Sequence, residues 1–196
     1  MGTPVIGVLA LQGAVDLHLH AFARLGIETK EVRKERELDQ VDAIVMPGGE
    51  SSTISKLLDL NDLFSPLADR LANGMAAFGT CAGMIMLSAE ILDGRDDQKS
   101  FSAIDIAVRR NAFGRQIDSF ETDLKVNCFP ESPMHAVFIR APIVEHVGPD
   151  VEVLAVVEQG RPVACRQDNI LVTSFHPELS PDLRLHDLFV QMAAKA

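Results

Sequence analysis

Hydrophobic positions along this chain fall into short continuous runs separated by helix-spaced stripes. Residues 4–11 form an apolar run closed by Gln12-Gly13, the pattern of a buried first strand and its turn. Val15, Leu19 and Phe22 then recur at helical spacing up to Gly26, a helix stop. Residues 28–33 predict a second, edge-like strand and residues 43–46 a third, buried one. After Pro47-Gly48-Gly49 a helix reopens near Ser51 or Ser52, either of which can cap it. Residues 63–71 are again helical, 76–78 a short strand, and 82–92 an almost wholly apolar helix. Strands and helices alternating at this pitch predict an α/β fold, with a mostly parallel central sheet covered by helices on both faces.

The second half changes character. Residues 104–108, 124–126, 137–139, 151–157, 163–166 and 170–175 are closely spaced strand candidates, several of them expected as antiparallel additions. A last helix is expected from Ser180-Pro181-Asp182, with Ser180 as cap and Leu185, Leu188, Phe189 and Met192 as its buried stripe. No repeat, low-complexity tract or long linker interrupts the 196 residues, so one domain spanning 1–196 is expected.

Composition narrows the function classes. A formal net charge of −10 argues against a general nucleic-acid or anionic-membrane surface, either of which needs a basic face. The apolar run near the N-terminus is too short to span a bilayer and lacks a basic flank. Cys81, Cys128 and Cys165 are far apart with no CxxC pair, which points to a reducing compartment, a free thiol and no metal site. The cytoplasm is the expected location.

Chemistry concentrates in three places. Gly79-Thr80-Cys81-Ala82-Gly83 lies between a strand and an apolar helix. Glycines two before and two after a nucleophile suit a sharp strand-to-helix elbow, where flanking side chains would collide. The helix that follows directs its N-terminal partial charge at the sulfur, and the Ala82 N–H is a natural oxyanion donor. The competing reading is a small buried cysteine in a Gly-rich turn, and for Cys128 and Cys165 that reading is preferred.

A thiol nucleophile needs a base. Ser174-Phe175-His176-Pro177-Glu178 follows a strand, and Pro177 restricts His176 to extended geometry. Residues two apart in an extended segment face the same way, so Glu178 can orient the His176 imidazole. His18, His20, His135, His146 and His186 lack these coincident constraints and are read as solvated or capping. The third place is Pro47-Gly48-Gly49-Glu50-Ser51-Ser52, where backbone N–H groups of Gly48 and Gly49 can supply a second oxyanion donor. A phosphate loop is excluded because the Gly-Lys-Ser/Thr ending is missing.

In this order, the three elements resemble the class I, triad-type glutamine amidotransferases. Further segments narrow the likeness: Leu11-Gln12-Gly13-Ala14-Val15, Arg110-Asn111-Ala112-Phe113-Gly114-Arg115-Gln116 and Phe138-Ile139-Arg140-Ala141-Pro142. With FGTCAG at 78–83 and SFHPEL at 174–179, the chain is similar nearly end to end to the glutaminase subunits of two-component pyridoxal 5′-phosphate synthases. The resemblance implies a flavodoxin-like fold, Cys81 as nucleophile, His176 as base and acid, and Glu178 as orienter. It also implies L-glutamine contacts from Gly49, Glu50, Ser51, Arg110, Ile139 and Arg140, no cofactor, and a TIM-barrel synthase partner that accepts the ammonia. Which arginine meets the substrate carboxylate stays open, and surface ion pairing is the alternative for both. Residues 93–103 (DGRDDQKSFSA) lack the Leu-Gly-Leu pattern of the family and are placed on a surface loop without bearing on catalysis. Two other readings compete. One is a related Cys-dependent α/β protein, such as a protease, glyoxalase or deglycase. The other is a catalytically silent scaffold that only binds the synthase.

Overall fold

The computed structural model describes residues 2–110, 119–157 and 160–196. Its elements run β1 (Ile6–Leu9), α1 (Val15–Arg24), β2 (Thr29–Val32), α2 (Glu35–Leu38), β3 (Ala43–Met46), α3 (Ser51–Leu60), α4 (Phe64–Ala72), β4 (Ala76–Thr80), α5 (Ala82–Leu87) and β5 (Ser88–Ile91). The chain continues through β6 (Ile104–Arg109), β7 (Ser119–Leu124), β8 (Met134–Ile139), β9 (Ile143–Val147), β10 (Glu152–Val157), β11 (Arg161–Gln167) and β12 (Ile170–Thr173). A 3-10 turn (Pro177–Leu179) and α6 (Arg184–Ala193) follow.

A seven-stranded sheet carries the order β10-β11-β12-β4-β3-β1-β2. The five strands from β12 to β2 are parallel, and β11 and β10 add antiparallel at one edge. This is the α/β architecture expected, with antiparallel strands from the second half. β5, β6 and β9 form a separate three-stranded sheet, and β7 and β8 pair as an antiparallel ribbon.

Both faces of the main sheet are buried, which is why its parallel strands read as continuous apolar runs. Along β3, Ile44 and Met46 join Leu58, Leu67 and Leu87 on one face. Ala43 and Val45 join Phe22 and Phe189 on the other. Thus α3, α4 and α5 cover one side and α1 and α6 the other. Fully buried side chains such as Phe22, Phe78 and Phe189 each contribute roughly 1.5–3 kcal/mol over leaving them in water.

Several local expectations are corrected. The apolar run 82–92 is not one helix: α5 stops at Leu87, the Ser88 hydroxyl donates to Ile85 O (2.8 Å), and the chain pairs with β6 as β5. A short apolar run does not distinguish helix from strand by period alone, and here the β6 edge decided it. The last helix begins at Arg184, because Ser180 is extended (φ −103°, ψ 150°) and its hydroxyl accepts the Asp182 N–H. Neither Ser51 nor Ser52 caps α3; Glu50 occupies that position. The strand expected at 124–126 is the end of β7, followed by an isolated bridge from Val126 to Ala155. α2 and β9 had no sequence expectation. Among the described residues no helix is long and apolar enough to cross a membrane.

The carboxyl ends of β1, β3, β4 and β12 lie side by side. The segments leaving them bring Gln12, Gly48, Cys81 and His176 to one end of the sheet, where open α/β sheets form ligand sites.

Candidate active site

Cys81 occupies the elbow between β4 and α5 with φ 50° and ψ −102°, a conformation rare for a residue with a side chain. Such backbone costs on the order of 1–3 kcal/mol and persists only where its surroundings enforce it. Here the Cys81 N–H donates to Thr173 O at 2.8 Å, tying the elbow to β12. The flanking glycines are obligatory for the reason expected. A Cβ on Gly79 would strike the Gly83 backbone, and one on Gly83 would strike the Met46 carbonyl.

His176 and Glu178 come together as anticipated, by a different route. Glu178 lies in the 3-10 turn Pro177–Leu179, not in a continuing strand, and it is this turn that swings its carboxylate back under the imidazole. His176 Nδ1 donates to Glu178 Oε1 at 2.7 Å. The His176 N–H donates to Val137 O at 2.9 Å, fixing the segment against β8. Burial by itself would lower the His176 pKa. Hydrogen bonds with Cys81 and Glu178, and the charges of both, outweigh it and hold the imidazole up to about 10. Burial likewise pushes Glu178 up, but the His176 hydrogen bond and the nearby His18 and His176 keep it below the usual carboxylate range. The imidazole is therefore cationic at neutral pH, between the thiol and the carboxylate.

The Gly48-Gly49 loop is pinned on both sides. Gly48 O accepts the Ala14 N–H (3.2 Å), and the Gly48 N–H donates to Thr80 Oγ1 (3.1 Å). The sequence offered both Gly48 and Gly49 as oxyanion donors. Gly48 has its N–H committed to Thr80, whereas the N–H groups of Gly49 and Ala82 have no acceptor among the described residues. Peptide planarity turns the Gly49 N–H away from the Gly48 carbonyl. A Cβ on Gly48 would overlap the His176 ring, so that position needs glycine, whereas one on Gly49 would meet only the end of the Gln12 side chain and displace its amide. Gln12 Oε1 also accepts the Glu50 N–H at 2.8 Å, holding the loop from β1.

Gly48, Gly49, Glu50, Ser51, Cys81, Ala82, Arg110, Ile139, Arg140 and His176 line one cavity of about 260 Å³, joined by Gln12 and Ile85. The catalytic, oxyanion and glutamine-contact candidates named from the sequence therefore lie in one place, with Glu178 buried directly behind His176. Ile139 O lies 3.9 Å from Cys81 Sγ. The two arginines differ. Arg110 is mostly buried, 3.9 Å from Glu50 Oε1, with Nε unpartnered among the described residues. Arg140 is exposed at φ 44°, just past β8. The motif segment 111–116 falls among residues that are not described.

The loop 93–103 does bear on this cavity, contrary to expectation. Gln98 accepts from Arg110 Nη1 (2.7 Å) and donates from Nε2 to Ser51 Oγ (3.0 Å), so one amide fixes two of the cavity's side chains. Asp93 adds a bond from the Arg110 N–H (2.7 Å). Gln98 was missed because a lone glutamine in a charged loop carries no spacing signal. His18 and His186 were also misjudged: both are fully buried. A signal existed, since His18 falls between Val15 and Leu19 and Phe22 on the inward stripe of α1, and His186 beside Leu185 and Phe189 on that of α6.

Comparison with known proteins agrees with this geometry. The model of the SNO glutamine amidotransferase family matches residues 8–195. The pyridoxal 5′-phosphate synthase subunit PdxT of Salinispora tropica is 54% identical over 200 residues, covering all of both chains. The subunit of the same name from Nocardia farcinica is 56% identical over 197 residues, covering 98% of this chain and 87% of its own. A crystal structure of a glutamine amidotransferase superposes with a TM-score of 0.91 at 46% identity, covering 98% of this chain and 100% of that one. A family model spanning nearly the whole chain, relatives more than half identical from end to end and a shared fold lead to one conclusion: this chain belongs to the SNO glutamine amidotransferase family.

Proposed function

We propose that this chain, as one glutaminase unit, hydrolyses L-glutamine to L-glutamate and ammonia and supplies the ammonia to a pyridoxal 5′-phosphate synthase subunit. The observation that carries this reading is the His176 imidazole held between Cys81 and Glu178 at the wall of an amino-acid-sized cavity. Glu50 is offered to the substrate ammonium. Arg110, whose buried Nε lacks a partner among the described residues, is offered to the α-carboxylate, with the backbone at Ile139 and Arg140 closing the other side.

In the proposed reaction the Cys81 thiolate attacks the side-chain amide carbon, forming a C–S bond. The oxyanion receives the Gly49 and Ala82 N–H groups. The His176 imidazolium gives its proton to the amide nitrogen, the C–N bond breaks, and ammonia leaves a γ-glutamyl thioester. His176, now neutral, takes a proton from water as it attacks, the C–S bond breaks, and glutamate departs with thiolate and imidazolium restored. Glu178 keeps the imidazole oriented throughout and stabilises its charge.

Ammonia released into neutral water is protonated and ceases to be a nucleophile, so useful turnover requires a docked acceptor. A TIM-barrel synthase in the cytoplasm fills that role in this proposal; the three unpaired cysteines are consistent with a reducing location. The test is glutamate release with and without the cognate synthase. Weak release alone and strong release in the complex is the expected result. Strong release that the synthase leaves unchanged would sink the coupling.

Gln98 gives a second measurement. Gln98→Ala removes the hydrogen bond that fixes Arg110 and frees Ser51. The KM for glutamine should rise roughly tenfold, the effect of losing one bond to a charged group, while kcat changes little. An unchanged KM would remove Gln98 from substrate binding.

A further inference from the structure

Behind the proposed triad lies a chain of buried polar groups that the reaction as written does not use. His18 on α1 is fully buried. Its Nε2 lies 3.2 Å from Thr80 Oγ1 and 3.6 Å from Glu178 Oε2, and its Nδ1 lies 3.1 Å from His186 Nε2 on α6. Thr80 Oγ1 in turn accepts the Gly48 N–H. Glu178 Oε2 is buried with no hydrogen-bond partner among the described residues. We propose that His18 is a positioning residue that joins the two halves of the site, with one ring N–H serving both the Glu178 carboxylate and, through Thr80, the Gly48-Gly49 loop.

The tautomer follows from what surrounds the ring. A lone pair on Nε2 would face the Glu178 carboxylate oxygen at 3.6 Å, so the proton belongs on Nε2. Nδ1 is then the acceptor, and His186 donates to it from its own Nε2. That leaves the His186 Nδ1 lone pair unpartnered among the described residues, which costs less than orphaning an N–H. Burial pushes both imidazoles down, His186 to about 3, which favours the neutral rings that this polarity requires. Thr80 Oγ1 receives both the Gly48 N–H and the His18 N–H. The orientation of the loop and the stabilisation of the carboxylate therefore depend on one imidazole. The inference rests on the triad reading proposed above.

The titratable groups facing Glu178 are His176 on its own segment, His18 on α1 and His186 on α6. β8 also packs against this turn, but its His135 lies on the exposed side between Glu121 and Asp123. Removing the His18 N–H removes stabilisation of the carboxylate anion. The carboxylate pKa rises, and the acid limb of the activity profile moves to higher pH.

The experiment measures the rate at which a glutamine-analogue electrophile labels Cys81, and glutamate release, as functions of pH in the complex with the synthase. Wild type is compared with His18→Leu, His18→Gln, Thr80→Val and Thr80→Ser. In His18→Leu we expect kcat to fall roughly five- to a hundredfold, the range for a buried polar group left without its partner. KM should stay within about twofold, and the acid limb should move upward. His18→Gln, which presents an amide N–H where Nε2 stood, should restore most of both. Thr80→Val should lower kcat without moving the acid limb, and Thr80→Ser should behave as wild type. A loss of activity matched by the loss of labelled protein, with an unmoved acid limb and no rescue by His18→Gln, overturns the inference. If His18→Leu does not fold, the Gln and Thr80 variants still decide: a wild-type profile in Thr80→Val overturns it. If wild type itself is not labelled, the triad reading fails and this inference with it.

Discussion

Cys81→Ala is expected to reduce glutamine hydrolysis by about 10⁵-fold or more, to the level that bound but unattacked substrate shows. Loss of a covalent nucleophile whose base and orienter act with it as one unit commonly costs about 10⁶ in kcat. The variant should still fold, because alanine inherits the same close-packed elbow. Glutamine binding should survive as well, since the proposed contacts come from Glu50, Arg110 and the backbone near Ile139. A second substitution separates strain from chemistry. Cys81 sits at φ 50°, ψ −102°, where glycine is at ease and alanine is not. Cys81→Gly should therefore be more stable than Cys81→Ala by about 1 kcal/mol, although both are inactive. Urea midpoints measure the difference. Equal midpoints would mean that the elbow holds no strain, and residual turnover above one part in a thousand would mean that Cys81 is not the nucleophile.

Glu178→Gln is the second large effect. The carboxylate accepts from His176 Nδ1 at 2.7 Å inside the protein, and its charge is one reason that the imidazole stays protonated. An amide of the same shape preserves packing, removes that charge and can favour the wrong imidazole tautomer. In a serine triad the equivalent change costs about 10⁴ in kcat, and a loss of roughly 10³–10⁴ is expected here. Stability carries the same signature. His176 is raised from 6.5 to about 10, so its contribution is complete below about 6.5 and lost as pH rises through about 10. Wild type should lose stability between those values. In Glu178→Gln burial of the imidazolium is less compensated and its pKa falls, so the loss should still begin near 6.5 but end at lower pH and be smaller. A full-size loss over the same range in the variant would show that Glu178 does not hold the proton on His176.

Much of this arrangement is readable from the chain because its requirements are local. Gly79 and Gly83 announce the elbow: no other residue survives the approach to the Gly83 backbone and the Met46 carbonyl, respectively. His176 and Glu178 are legible for a partly mistaken reason. Extended geometry was expected to align them, whereas the 3-10 turn after Pro177 does so, and two residues are too few to tell these apart by pattern. The parallel core strands are legible as apolar runs, while β5 is not. Its register with β6 is a tertiary choice that an apolar helix start conceals. Gln98, His18 and Thr80 mark the limit. Each acts through partners distant in sequence, from 12 residues between Gln98 and Arg110 to 168 between His18 and His186, and no local spacing encodes such a meeting.

The order of the strands also has a consequence for the timing of synthesis. β12 lies between β4 and β11, and its backbone receives the Cys81 N–H at Thr173. While the chain is being made from its N-terminus, β1 to β4 emerge long before β12. A nascent chain that has passed the thiol but not residue 178 has neither the imidazole nor the carboxylate, and its elbow has no Thr173 carbonyl to hold it. Cys81 is thus not assembled with its proposed partners until β12 and the turn after it have been made, and any product truncated before β12 lacks them. Maturation of the site is a late event set by topology, and ribosome-bound chains of increasing length should become competent for Cys81-specific labelling only once β12 and the turn after it have cleared the exit tunnel.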